Sequence, residues 1–136
     1  MEDPLTIGQV ARRTGISRDT IRYYERVGLL LRPARTAAGY RQFPVAIVDR
    51  LALVRNAQRF GFTLREIAGF LRVRDSGGKP CRDVRAAAQR RLEAVDQQIA
   101  ELVAMRDRMC RTLQRWDATL ARTPADRPAR LLETLK

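Results

Sequence analysis

Ser17 to Gly28, SRDTIRYYERVG, gathers the side chains best suited to chemistry on a polyanion. Ser17 can cap a helix whose N-terminal amides attract anions, and Arg18 and Arg22 lie one turn apart with donors for phosphates and base edges. Tyr23 and Tyr24 follow directly. Consecutive helix residues point about 100° apart, so one tyrosine can pack inward while its neighbour reaches out. Other kinds of chemistry lack their residues. The sequence has no histidine, which removes the commonest general base and the commonest metal ligand. Neither a phosphate-cradling glycine loop nor a nucleophile elbow is found, so no catalytic residue is expected and the chain is not read as an enzyme.

The overall charge fits the same partner. Among 136 residues, 27 lysines and arginines face 15 acids, for a formal charge of +12, and only Lys79 and Lys136 of those cations are lysine. Arginine's rigid fork of donors suits phosphate and guanine, so nucleic acid is the expected partner. No apolar run has signal-peptide or bilayer-spanning length, which predicts a cytoplasmic protein. Cys81 and Cys110 are too few for a disulfide framework and are expected as thiols.

Positioning that arginine and tyrosine cluster requires a scaffold, and the flanking residues predict one. Thr6 and Gln9 form a capping box ahead of a helix whose Ile7, Val10 and Ala11 share a face. Gly15 permits a left-handed stop, Ile16 plugs the corner, and Ser17 opens the second helix, where Ile21 faces back to the first. The result is a helix-turn-helix. Leu29 to Phe43 predicts a β-hairpin wing, with Leu30-Leu31-Arg32 and Tyr40 to Phe43 as strands and Arg35, Tyr40 and Arg41 protruding towards the backbone or the minor groove.

Pro44 is expected in the first turn of a third helix running to Phe60, with Ile47, Leu51 and Val54 buried. A second capping box, Thr63 with Glu66, opens a fourth helix carrying Leu64, Ile67, Ala68 and Leu71. The fold class is mainly α: a winged helix-turn-helix domain over 1–75, a linker over 76–80, a long helix over 81–120 and a tail with a short helix over 121–136. On the long helix Ala88, Leu92, Val95, Ile99, Leu102, Met109, Leu113, Trp116 and Leu120 recur in steps of three and four, with Arg106 filling one further position. This is a coiled-coil seam, and its simplest partner is the same helix of a second copy. In the tail, Leu131, Leu132 and Leu135 are expected to dock on a neighbour.

In this fixed order, TIRYYERVGLL, then GYRQF, then RFGFTLREI, then the long helix, the chain resembles the MerR family of transcriptional regulators over nearly its whole length. The resemblance implies a homodimer with antiparallel dimerisation helices on a two-fold promoter site. Its promoter elements are spaced too widely for RNA polymerase, and the effector-bound dimer bends and untwists the duplex to realign them. By matching positions, Ser17, Arg18, Thr20, Arg22, Tyr23, Tyr24, Tyr40 and Arg41 would contact DNA.

Cys81 matches the cysteine that the heavy-metal-responsive branch carries at the start of this helix, where the resemblance implies sensing of a soft or divalent metal ion. That branch draws further cysteines from a loop after the helix, and here that region holds neither cysteine nor histidine. Cys81 and Cys110 stand about 43 Å apart along one helix and cannot share an ion. Three readings of Cys81 follow: a remnant of a lost metal response, a redox or electrophile sensor beside Lys79 and Arg82, or a metal ligand in another geometry. A different class of reading is an architectural or anti-activator DNA-binding protein that needs no effector.

Overall fold

The computed structural model describes residues 2–136. Its elements run α1 (Ile7–Thr14), α2 (Arg18–Arg26), β1 (Ala34–Arg35), β2 (Arg41–Gln42), α3 (Ile47–Phe60), α4 (Leu64–Asp75) and α5 (Cys81–Arg122), followed by a single 3-10 turn at Leu132–Thr134. The chain forms two compact units, one up to Arg91 and one from Leu92 onward. The first unit reaches past the boundary expected at residue 75 because the opening turns of α5 join it. Ala87 is buried there, and Arg91 donates to Glu66 at 2.6 Å.

Both capping boxes form. The Thr6 backbone amide donates to Gln9 Oε1 at 2.8 Å while the Gln9 amide donates to Thr6 Oγ1 at 3.2 Å, so two amides at the head of α1 are satisfied reciprocally. Thr63 and Glu66 repeat the arrangement at α4. Burial pushes the Glu66 carboxyl up, but hydrogen bonds from Thr63 and the Arg91 guanidinium outweigh it and hold the group below the ordinary glutamate value.

The core of the first unit is built from Val10, Ile21, Leu29, Phe43, Leu51, Val54 and Ile67, all fully buried. Phe43 is fixed from both sides, since its backbone exchanges two hydrogen bonds with Leu5, at 2.7 and 2.8 Å, and its ring fills the centre. Removing water from these aliphatic and aromatic side chains is the main force that holds α1, α2, α3 and α4 together.

Two expected boundaries shift. The first wing strand is Ala34–Arg35 rather than 30–32, pairing with Gln42 and Arg41. Leu29 and Leu30 sink into the core instead, and Pro33, which has no amide to donate, separates that anchor from the ladder. The third helix begins at Ile47, three residues after Pro44. Pro44 and Val45 accept from Ile47 and Val48 in a tight preceding turn, and no side chain caps the helix.

In the second unit α5 continues without a break to Arg122, slightly beyond the expected 120. At 42 residues it is about 63 Å long. The tail turn returns to this helix: Trp116 Nε1 donates to Thr134 Oγ1 at 2.9 Å. In the single chain Leu132 and Leu135 are exposed and Leu131 is half-buried.

Candidate nucleic-acid interface

The turn before α2 is locked by its own polar groups. Gly15 adopts φ 72°, and its amide donates to Ala11 O at 2.9 Å. Thr14 Oγ1 donates to Val10 O and accepts from the Ile16 amide, which holds Ile16 in the corner. Arg55 reaches from α3 and donates to the Thr14 carbonyl at 2.7 Å, satisfying an acceptor that the end of α1 leaves open.

Ser17 caps α2 as expected, accepting from the Thr20 amide at 3.1 Å and donating its own proton to Thr20 Oγ1 at 2.8 Å. Both hydroxyls therefore stand at the positive end of the helix. The Arg18 guanidinium lies against α1, close enough that a Cβ added at Gly8 would meet its Nη2 at 2.8 Å. Arg22 is exposed and pairs loosely with Asp19 at 2.9 Å. Exposed ion pairs of this kind are weak, so the guanidinium can be exchanged to a phosphate at small cost.

The tyrosine pair divides. Tyr23 is 44% exposed with the Arg26 guanidinium over its ring, at 5.7 Å from the centroid. Tyr24 is 7% exposed and its hydroxyl donates to Gln58 Oε1 at 2.8 Å. Expected on the exposed side, Tyr24 instead follows Ile21 by three residues onto the buried stripe, and its phenol bridges α2 to α3.

The wing is small but tied down. Arg35 Nη1 donates to the Gly39 carbonyl across its turn at 2.8 Å, and the Thr36 amide donates to Tyr40 O at the same distance. Tyr40 projects from the tip with 73% of its surface exposed. Arg41 Nε donates to Glu25 Oε2 at 2.9 Å, and this ion pair fastens the wing to α2. Ser17, Thr20, Arg22 and Tyr23 thus share one stretch of α2, while Arg41 joins the wing to that helix.

Three arginines that the sequence shows only as part of the overall positive charge are structural. Besides Arg55 and Arg91, Arg50 donates its Nε to the Leu29 carbonyl at 2.7 Å and grips both oxygens of Asp75 at 2.8 and 2.9 Å. One signal could have found it. Asp75 closes α4 at the helix end where an acid is unfavourable, so a compensating cation is required.

Cys81 is exposed at the first position of α5, as is Cys110 further along it. Among the described residues no three histidine, cysteine or acidic side chains are grouped as a metal site requires. Within one chain, therefore, the donors do not fit a soft metal ion, which favours several sulfur or nitrogen ligands. The expected pairing residues Leu92, Val95, Ile99, Leu102, Met109 and Leu113 are all exposed, whereas Trp116 is half-covered by the tail. Among the described residues no helix is long and apolar enough to cross a membrane.

A capped helix-turn-helix, a tethered wing and outward arginine and tyrosine groups define a winged helix-turn-helix DNA-binding protein. Residues 5–73 match the family described as MerR HTH family regulatory protein, and residues 48–112 match MerR, DNA binding. The chain belongs to the MerR family and is a DNA-binding transcriptional regulator.

Its similarity to known proteins runs through both compact units. The mercuric resistance operon regulatory protein of Bacillus cereus is 41% identical over 96 residues, 71% of this chain and 73% of that protein. The HTH-type transcriptional regulator ZntR of Escherichia coli K12 is 36% identical over 110 residues, 80% and 75% of the two chains. Among solved structures, PbrR691 from Ralstonia metallidurans CH34 in complex with lead(II) has a TM-score of 0.73 at 27% identity, covering 81% of this chain and 86% of that one. HiNmlR, a MerR family regulator lacking the sensor domain and bound to promoter DNA, has a TM-score of 0.55 at 26% identity, covering 88% and 94%. These relatives are transcription regulators rather than enzymes.

Proposed function

We propose that two copies of this chain pair through α5 and hold their α2 helices and wings on the two halves of an over-spaced promoter, switching transcription by RNA polymerase when the duplex is bent and untwisted. The observation that carries the reading is the exposed run of Leu92, Val95, Ile99 and Leu102, a stripe at coiled-coil spacing that the same helix of a second copy would cover. DNA-bound HiNmlR supports the promoter as target. Smoothly bending a site by 40 to 90° costs roughly 1 to 6 kcal/mol, which the phosphate contacts of two α2 helices and two wings can offset.

Ser17, Arg18, Thr20, Arg22, Tyr23, Tyr40 and Arg41 are the proposed contacts, with Arg35 shaping the wing turn and Tyr24 supporting α2 from beneath. Arg22→Ala should weaken binding to a duplex with inverted half-sites by on the order of 1 to 3 kcal/mol, measured by fluorescence anisotropy at physiological salt. Unchanged affinity would remove Arg22 from the interface.

The metal named for PbrR691 and the mercury of the resistance regulators direct attention to Cys81 as the residue through which a metal or thiol-directed signal would act. A Cys81→Ser variant should keep its operator affinity and lose induction in a promoter fusion challenged with metals and oxidants. Full induction of that variant would discard Cys81 as the sensor. A promoter that no metal or thiol reagent induces, even with the parent protein, would favour the effector-free architectural reading.

A further inference from the structure

Gly8 is a glycine that no turn requires. It is buried in the first turn of α1 without a positive φ, a place where alanine would be the better helix former. What its missing side chain makes room for is charge. Outside its own helix backbone and chain neighbours, the three atoms nearest to a Cβ built on Gly8 are Arg18 Nη2 at 2.8 Å, Arg18 Cζ at 3.4 Å and Arg12 Nη1 at 3.7 Å. The shortest of these is well inside van der Waals contact, so any other residue at position 8 would push the Arg18 guanidinium off α1.

Two helices bring this pair of cations together. Arg12 follows Gly8 by four residues on α1, and a helical side chain leans towards the N-terminus, which lays its guanidinium over the turn below. Arg18 is the first residue of α2, beyond the left-handed turn at Gly15, and folds back onto α1. Both guanidiniums thus face one point above Gly8. Neither makes an ion pair or a hydrogen bond among the described residues, whereas Arg22, Arg41, Arg50 and Arg91 each hold an acid. Like charges gathered without an acid repel each other, and an anion taken up between them relieves the repulsion.

We propose that Arg12 and Arg18 together seat one phosphate of the DNA backbone, and that Gly8 is the positioning residue that lets the Arg18 guanidinium lie against α1. Guanidinium groups bind phosphate through charge-assisted, often bidentate hydrogen bonds, and such contacts fix the register of a protein on the duplex without reading its sequence. The inference rests on the DNA-binding reading, to which it adds Arg12 and gives Arg18 a role that is independent of sequence. It does not depend on how α5 pairs or on distortion of the promoter.

Fluorescence anisotropy tests this with the full-length protein on two duplexes of equal length, one with inverted half-sites and one scrambled, between roughly 50 and 200 mM salt. Arg12→Gln should weaken binding to both duplexes by one common factor, roughly three- to tenfold, and reduce the slope of log affinity against log salt by about 1 for each copy bound. Gly8→Ala should also weaken both, yet keep a urea midpoint at or above that of the parent, because the displaced atoms are the flexible tip of Arg18 and alanine suits the helix. In an Arg18→Ala background Gly8→Ala should cost nothing further, since it acts through that guanidinium. Arg90→Gln, with the same loss of charge on α5, should keep the parent slope. The proposal is overturned by a parent slope in Arg12→Gln, by a loss confined to the inverted half-sites, by parent affinity in Gly8→Ala, or by a Gly8→Ala penalty that persists without the Arg18 side chain. Preference of the parent protein for inverted half-sites over the scrambled duplex tests the regulator reading separately, so the two failures are told apart.

Discussion

Ile99→Asp is expected to leave a folded chain that sediments as a monomer and loses high-affinity operator binding. Ile99 lies near the middle of the exposed stripe of α5, with 54% of its surface open in the single chain. In a two-fold pair each copy contributes one substituted residue, so a single change buries two carboxylates without partners. The effective penalty for an unpaired buried ion is several kcal/mol, and each 1.4 kcal/mol is about tenfold in dissociation. Losing the second half-site contact then removes an avidity gain of roughly 10² to 10⁴. Analytical ultracentrifugation and anisotropy on paired and single half-sites measure the two effects. A dimer that survives Ile99→Asp would refute α5 as the pairing element.

The largest effect within a single chain is expected at Arg50, where one guanidinium serves two connections. Arg50→Ala strands the Leu29 carbonyl and leaves Asp75, at the exposed end of α4, without its bidentate partner. Losing the donor to the Leu29 carbonyl together with this partly screened pair should lower stability by about 1 to 3 kcal/mol, read by urea denaturation.

The same pair sets a dependence on acid. Hydrogen bonds from Arg50 lower the Asp75 carboxyl below the ordinary aspartate value against the opposing effect of burial, with the charges of Arg50 and Arg74 adding to the lowering. Since the folded value is the lower one, this contribution is fully present above the unfolded carboxylate range, near about pH 4, and is lost as pH falls through the depressed value. Asp75→Asn should flatten that part of the profile. A parent-like acid profile in the variant would show that Asp75 does not contribute this dependence.

What the sequence made legible was local. Thr6 with Gln9, Ser17, and Thr63 with Glu66 announce helix starts within four residues, and Gly15 announces the turn because the chain there needs a positive φ. The long helix was legible because nothing between Cys81 and Arg122 interrupts its period.

What escaped depends on partners far along the chain. Arg50 meets Asp75 and Arg41 meets Glu25 across 25 and 16 positions, and no periodicity encodes such pairings. The first wing strand was misplaced because Leu30 reads as a strand residue by type, although the core claimed it. The choice between Tyr23 and Tyr24 could have been made in advance, since only Tyr24 continues the stripe begun by Ile21.

The clasp between Glu25 and Arg41 also bears on how quickly the protein can recognise its target. A hairpin joined only by its two ends would have to sample orientations after each collision with the duplex, and that search would be repeated at every wrong site. With the hairpin fastened beforehand, the search is already over when diffusion delivers the molecule, so the speed of capture should follow ionic strength and charge rather than any rearrangement of the reading head.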